Sequence, residues 1–130
     1  MKQIPENVER FEGELGTYWF DENGILCSVS NKILRTLDNV KSNINLIKKI
    51  SNNTPVCILV YLSRSPQPDK QTRDFVAQQL SSIYKAMAIV SNSSLGSFVI
   101  NFIFKFQKPS IPMRTFSNEE DAKEWLKQYL

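Results

Sequence analysis

Chemistry in this chain would have to come from its serines, its two cysteines or a short acidic run, because the sequence contains no histidine. A hydrolytic serine needs a base within reach to take its proton. Neither a histidine nor a Gly-x-Ser-x-Gly elbow is present to supply that arrangement. Ser93, Ser94, Leu95 and Gly96 resemble a phosphate-cradling helix start. A P-loop also needs its Lys-Ser/Thr pair, so the run reads as a helix cap followed by a small residue at a helix crossing. Glu119, Glu120 and Asp121 are explained by the dipole of a helix that begins there. Cys27 and Cys57 each sit in an apolar, strand-like run, with no second Cys at ligand spacing, and buried reduced thiols are expected. Whether they bridge each other depends on a distance that only the fold sets. No catalytic residue, metal or cofactor is expected.

At 130 residues the chain has the size of one domain, with residues 1–11 as an extension and 12–130 as the folded unit. A domain of this size buries roughly two thirds of its unfolded surface. Sixteen basic and thirteen acidic residues leave a net charge of +3, too little for a phosphate-tracking surface. Lys48 with Lys49, and Lys105 with Lys108, read as solvated helix ends, and no nucleic-acid partner is expected. The N-terminus lacks the apolar stretch of a signal peptide. The longest apolar segment is interrupted by Asn101 and Lys105 and is too short to span a bilayer. The expectation is a cytoplasmic protein without a membrane span.

The elements that would carry these residues follow from periodicity. Residues 12–20 read as a strand, and Asn23-Gly24 as a two-residue turn returning into a strand over 25–30. Leu37, Val40, Ile44, Ile47 and Ile50 form one helical stripe, capped by Thr36 and stopped by Asn52, Asn53 and Pro55. Residues 56–62 are continuously apolar, as a strand covered on both faces is. Asp69 caps a helix over 70–83, residues 86–90 form the next covered strand, and 112–116 another. Ser117 and Glu120 fit a capping box for a last helix that buries Ala122, Trp125, Leu126 and Tyr129. Residues 95–106 fit both a strand alternation and a helical stripe. A parallel neighbour needs a crossover of about a dozen residues, so topology selects the helix. The expected order is β-β-α-β-α-β-α-β-α, an α/β fold with a mixed sheet that opens on an antiparallel hairpin.

This order and several local strings resemble the STAS/SpoIIAA-like domain family, in its small stand-alone bacterial branch. The strings are residues 58–62, 69–75, 86–95, 101–102, 108–112 and 115–126. The closing pattern of Phe116, Glu120, Ala122, Trp125 and Leu126 is the most distinctive. The resemblance covers residues 12–130 and implies a βα superhelix with helices packed on the sheet. The wider group includes anti-sigma-factor antagonists and transporter-associated regulatory domains. Their antagonists carry an Asp-Ser-Ser/Thr-Gly string whose first serine is phosphorylated to break partner binding. The matching residues here are Asp69, Lys70, Gln71 and Thr72. The switch serine is a lysine and the glycine is absent, which places that mechanism in doubt. Asp69, Lys70 and Thr72 remain the candidate regulatory loop, with Ser63 and Ser65 near it.

One feature exceeds what folding needs. On a helix over 95–106, Leu95, Phe98, Val99, Phe102, Ile103 and Phe106 leave only the edge of Ser97, Asn101, Lys105 and Lys108 polar. Deep burial, a protein interface and the lid of an apolar ligand pocket all fit that pattern. The resulting expectation is a non-catalytic interaction or regulatory module that self-associates or binds a protein partner. The alternative is a carrier of a small apolar or lipid-like molecule on the same surface.

Overall fold

The computed structural model describes residues 4–61, 66, 68–90 and 110–130. Its sheet grows in chain order. Strands β1 (Phe11–Glu12), β2 (Gly16–Phe20), β3 (Leu26–Ser30), β4 (Val56–Tyr61), β5 (Tyr84–Val90) and β6 (Met113–Phe116) lie side by side in that sequence. The first two pairings are antiparallel and the last three parallel. The sheet is therefore mixed and opens on an antiparallel hairpin, as expected. Helix α1 (Leu37–Ile50) connects β3 to β4, and α2 (Lys70–Ile83) connects β4 to β5. After β6 come α3 (Glu119–Leu126) and a 3₁₀ turn, Lys127–Tyr129. The helix expected over 95–106 lies outside the described residues. Among the described residues no helix is long and apolar enough to cross a membrane.

Three local expectations are corrected. The single strand expected over 12–20 is two strands, with Phe11 paired to Tyr18. The chain reverses where the Gly13 N–H donates to the Gly16 carbonyl at 2.9 Å. A Cβ on Gly16 would lie 2.7 Å from the Val29 carbonyl oxygen, so the close approach to β3 requires glycine. At the second reversal only Gly24 has a left-handed φ, +82°, and the connection runs from Asp21 to Ile25. The Asp21 carboxylate accepts from the N–H groups of Asn23 and Ile25, each at 2.9 Å, which replaces the two-residue turn with a side-chain-supported one. Finally, α3 is capped by Asn118, whose side chain accepts from the Asp121 N–H, one residue beyond the expected Ser117.

The expectations for α1 and α2 hold. The Thr36 hydroxyl accepts from the Asn39 N–H, and the Asn39 side chain accepts from the Thr36 N–H, a capping box with asparagine in the glutamate's place. Asn52 and Asn53, at φ 56° and 59°, end α1 in left-handed geometry.

Strand alternation divides the core into two layers. Tyr18, Leu26 and Ile58 face α1 and α2, meeting Val40, Ile44, Ile47, Leu80 and Ile83. Trp19, Cys27, Cys57 and Leu59 face the other way, where Ala122 and Leu126 of α3 cover them. Ala86 and Ala88 of β5, both fully buried on that side, leave room for α3 to lie close. Cys27 and Cys57 are free and buried. Cys27 pairs with Leu59, so Cys57 is displaced two residues along the neighbouring strand. That offset puts their Cα atoms about 8 Å apart, beyond the roughly 7 Å that a disulfide spans.

Candidate functional site

The candidate loop residues sit at the entry to α2. The Asp69 carboxylate accepts from the Thr72 N–H at 2.8 Å. That backbone bond, with a second bond to the Thr72 side chain, holds the Asp69 carboxyl below the usual carboxylate range. Lys70 is exposed and pairs with Asp74 one turn on, at 3.6 Å. Thr72 is only 2% exposed, so its hydroxyl is out of reach of a modifying enzyme while α2 is formed. Asp69 and Lys70 are thus the parts of this loop presented to solvent. Leu95, Phe98, Val99, Phe102, Ile103 and Phe106 lie outside the described residues, as do Ser63 and Ser65.

A polar network not singled out by sequence reasoning spans the opposite layer. Asp21 closes β2. Tyr61 ends β4 on the same face as Cys57 and Leu59, and its ring stacks nearly parallel on Trp19 at 6.3 Å. Helix α3 runs over that face, with the Cys57 thiol pointing to the Leu126 carbonyl near its far end. This orientation puts Glu119, in the first turn, against the Tyr61 hydroxyl, which donates to it. One turn later Lys123 lies 3.2 Å from Asp21 Oδ2 and 3.8 Å from Glu119 Oε1. The Asp21 side chain is almost wholly buried in this arrangement.

The electrostatics of the network fix its protons. Burial, then the hydrogen bond and charge of Glu119, push the Tyr61 phenol far above its ordinary range. Burial alone would lower the Lys123 ammonium. The hydrogen bond and charge of Asp21, aided by Glu119, more than offset it, and the ammonium is held above its usual value. Burial pushes the Cys57 thiol up, away from thiolate. In the other layer Tyr18 accepts from Asn43 Nδ2 at 2.7 Å. Burial raises its phenol despite the opposing Asn43, Ser28 and Arg35 contributions, and raises the fully enclosed Tyr84 further. General acid–base work at neutral pH needs a group poised near 7, and these shifts all lead away from it. Among the described residues no three His, Cys, Asp or Glu side chains gather as metal ligands would.

A cleft of about 380 Å³ opens beside this network, between the N-terminal segment and the start of α3. The i,i+4 spacing of Glu119 and Lys123 was the one sequence signal for the network. Its other halves, Asp21 and Tyr61, come from distant parts of the chain.

The family model described as a domain of unknown function, DUF7793, matches residues 18–130. The chain is similar to a solved structure from Shewanella loihica PV-4, an uncharacterized protein of the DUF3478 family with a SpoIIAA-like fold. The two share 13% identity at a TM-score of 0.53, over 97% of this chain and 98% of that one. Identity this low speaks for the fold alone. The fold is SpoIIAA-like, as the sequence resemblance implied. No curated protein matches the chain.

Proposed function

The chain belongs to the DUF7793 family, and we propose that it is a non-catalytic, cytoplasmic interaction module of STAS-like type that self-associates or engages a protein partner. The observation that carries this reading is the apolar excess of residues 95–106, more than one solvated helix needs. Tyr18, Tyr61, Tyr84, Cys57 and Lys123 are all pushed up, so none offers a phenolate, thiolate or neutral amine near pH 7. The contact surface in this proposal is the apolar stripe of Leu95, Phe98, Val99, Phe102, Ile103 and Phe106, whose pattern leaves too little polar edge for a solvated helix. Asp69 and Lys70, exposed at the start of α2, are the proposed regulatory rim.

Phe102→Lys tests the proposal. The expected result is loss of association in sedimentation velocity with the circular dichroism spectrum retained. Unfolding of this variant would instead make Phe102 a core residue and remove the proposed surface.

A further inference from the structure

The sheet ends on β6, whose one neighbour among the described residues is β5. The Pro112 carbonyl accepts from the Met87 N–H at 2.9 Å. Backbone groups point to alternate sides along a strand, so Arg114 and Phe116 also bond toward β5. The N–H and C=O groups of Met113 and Thr115 then point outward, a template for a further strand.

The sheet face beside this edge is aromatic. Phe116 and Trp125 meet at 5.7 Å and Trp125 and Tyr129 at 5.1 Å, and all three are half-buried. Arg114 is exposed on the same face with its guanidinium over the Phe116 ring, and among the described residues no carboxylate pairs with it. Asp121, also exposed, stands one turn before Trp125 on the same side of α3. Glu119 lies at Tyr61 and Leu126 at Cys57, so α3 runs back against the direction of β4 and its parallel neighbours. Asp121 is thereby near the last residue of β6 and Arg114 near the first. One edge carries a positive charge at one end and a negative charge at the other, and a two-fold axis brings each against its opposite.

We propose that two copies of this chain join β6 to β6, antiparallel, into one continuous sheet, with Arg114 of each copy against Asp121 of the other. Thr115 faces its own counterpart, which sets Arg114 opposite Phe116 of the second copy. The register centred on Arg114 would instead oppose like charges. Helix α3 lies chiefly over β5, so three strand spacings, about 14 Å, separate the two α3 helices. Direct helix contact takes roughly 8–10 Å, and the rings of Phe116, Trp125 and Tyr129 from both copies fill the difference. The inference rests on the self-association reading above and names how the copies are placed, using none of residues 95–106.

The test is sedimentation velocity on the full chain, with circular dichroism to confirm that each variant is folded. Arg114→Asp and Asp121→Arg each bring like charges together twice across the two-fold, and each alone should weaken association at least about tenfold. An equimolar mixture of the two variants restores both opposite-charge contacts in a heterodimer and should recover the original affinity within about threefold. Glu120→Arg, exposed on the far side of α3, should leave association unchanged and controls for net charge. Single variants that still associate, a mixture that does not recover, or an unaltered chain that stays monomeric would each overturn the proposal. Association lost in Phe102→Lys but indifferent to the charge variants would sink this pairing and keep the surface over 95–106, and the opposite pattern would do the reverse.

Discussion

Lys123→Met removes the positive charge that answers Asp21 while keeping a side chain of similar length. At 3.2 Å, with an effective dielectric constant of about 20, the gross attraction is about 5 kcal/mol. Two effects reduce what the protein loses. Methionine sheds the desolvation penalty of the partly buried ammonium, and Asp21 Oδ1 keeps the N–H groups of Asn23 and Ile25. Breaking one side of a fully buried pair costs about 3–5 kcal/mol. Lys123 is 24% exposed, against 4% for Asp21, so the expected loss is nearer 2 kcal/mol. Urea denaturation should show a midpoint lower by about 1 M with an unchanged slope. Because the damage is a stranded carboxylate, combining Lys123→Met with Asp21→Asn should cost at least about 1 kcal/mol less than the two single losses summed. A loss below about 0.5 kcal/mol, or strict additivity, would show that the pair does not hold α3 on the sheet.

Alkaline pH is the second lever. Tyr18, Tyr61, Tyr84 and Lys123 have folded-state values raised above their unfolded ones. The folded form then keeps protons that the unfolded chain has released, so the stabilisation is whole below about pH 10 and falls as pH rises further. Thermal melts should be flat through neutrality and drop steeply above about pH 10, with tyrosinate absorbance rising together with loss of helicity; titration of two or more tyrosines ahead of unfolding would contradict the burial assigned to them. Gly16→Ala should cost about 2 kcal/mol, because its Cβ meets the Val29 carbonyl rather than a movable side chain. Gly24→Ala, which meets open space but keeps a φ of +82°, should cost about 1 kcal/mol; chemical denaturation of both variants measures the difference.

What was legible in the sequence is what depends on neighbours along the chain. The stripe of Val40, Ile44 and Ile47, the Thr36 and Asp69 caps and the unbroken run at β4 each announce themselves within a few residues. The first strand misled because Tyr18, Trp19 and Phe20 dominate the β signal, and the Gly13–Gly16 spacing that breaks it acts through a contact with Val29 on another strand. The Asn23-Gly24 turn was placed correctly, yet the carboxylate that shapes it belongs to Asp21, outside the pair that attracts the eye. Ser117 and Asn118 are both good caps, and only the backbone course, extended at Asn118, separates them. The polar network was hidden for a similar reason. Tyr61 and Glu119 are 58 residues apart, and they meet only because α3 crosses the face of β4.

Native mass spectrometry of the purified full chain tests the central proposal most directly. Self-association through residues 95–106 predicts a dimer mass without a small-molecule adduct. A monomer retaining a bound small molecule would favour a carrier instead, and a bare monomer at all concentrations would contradict the account.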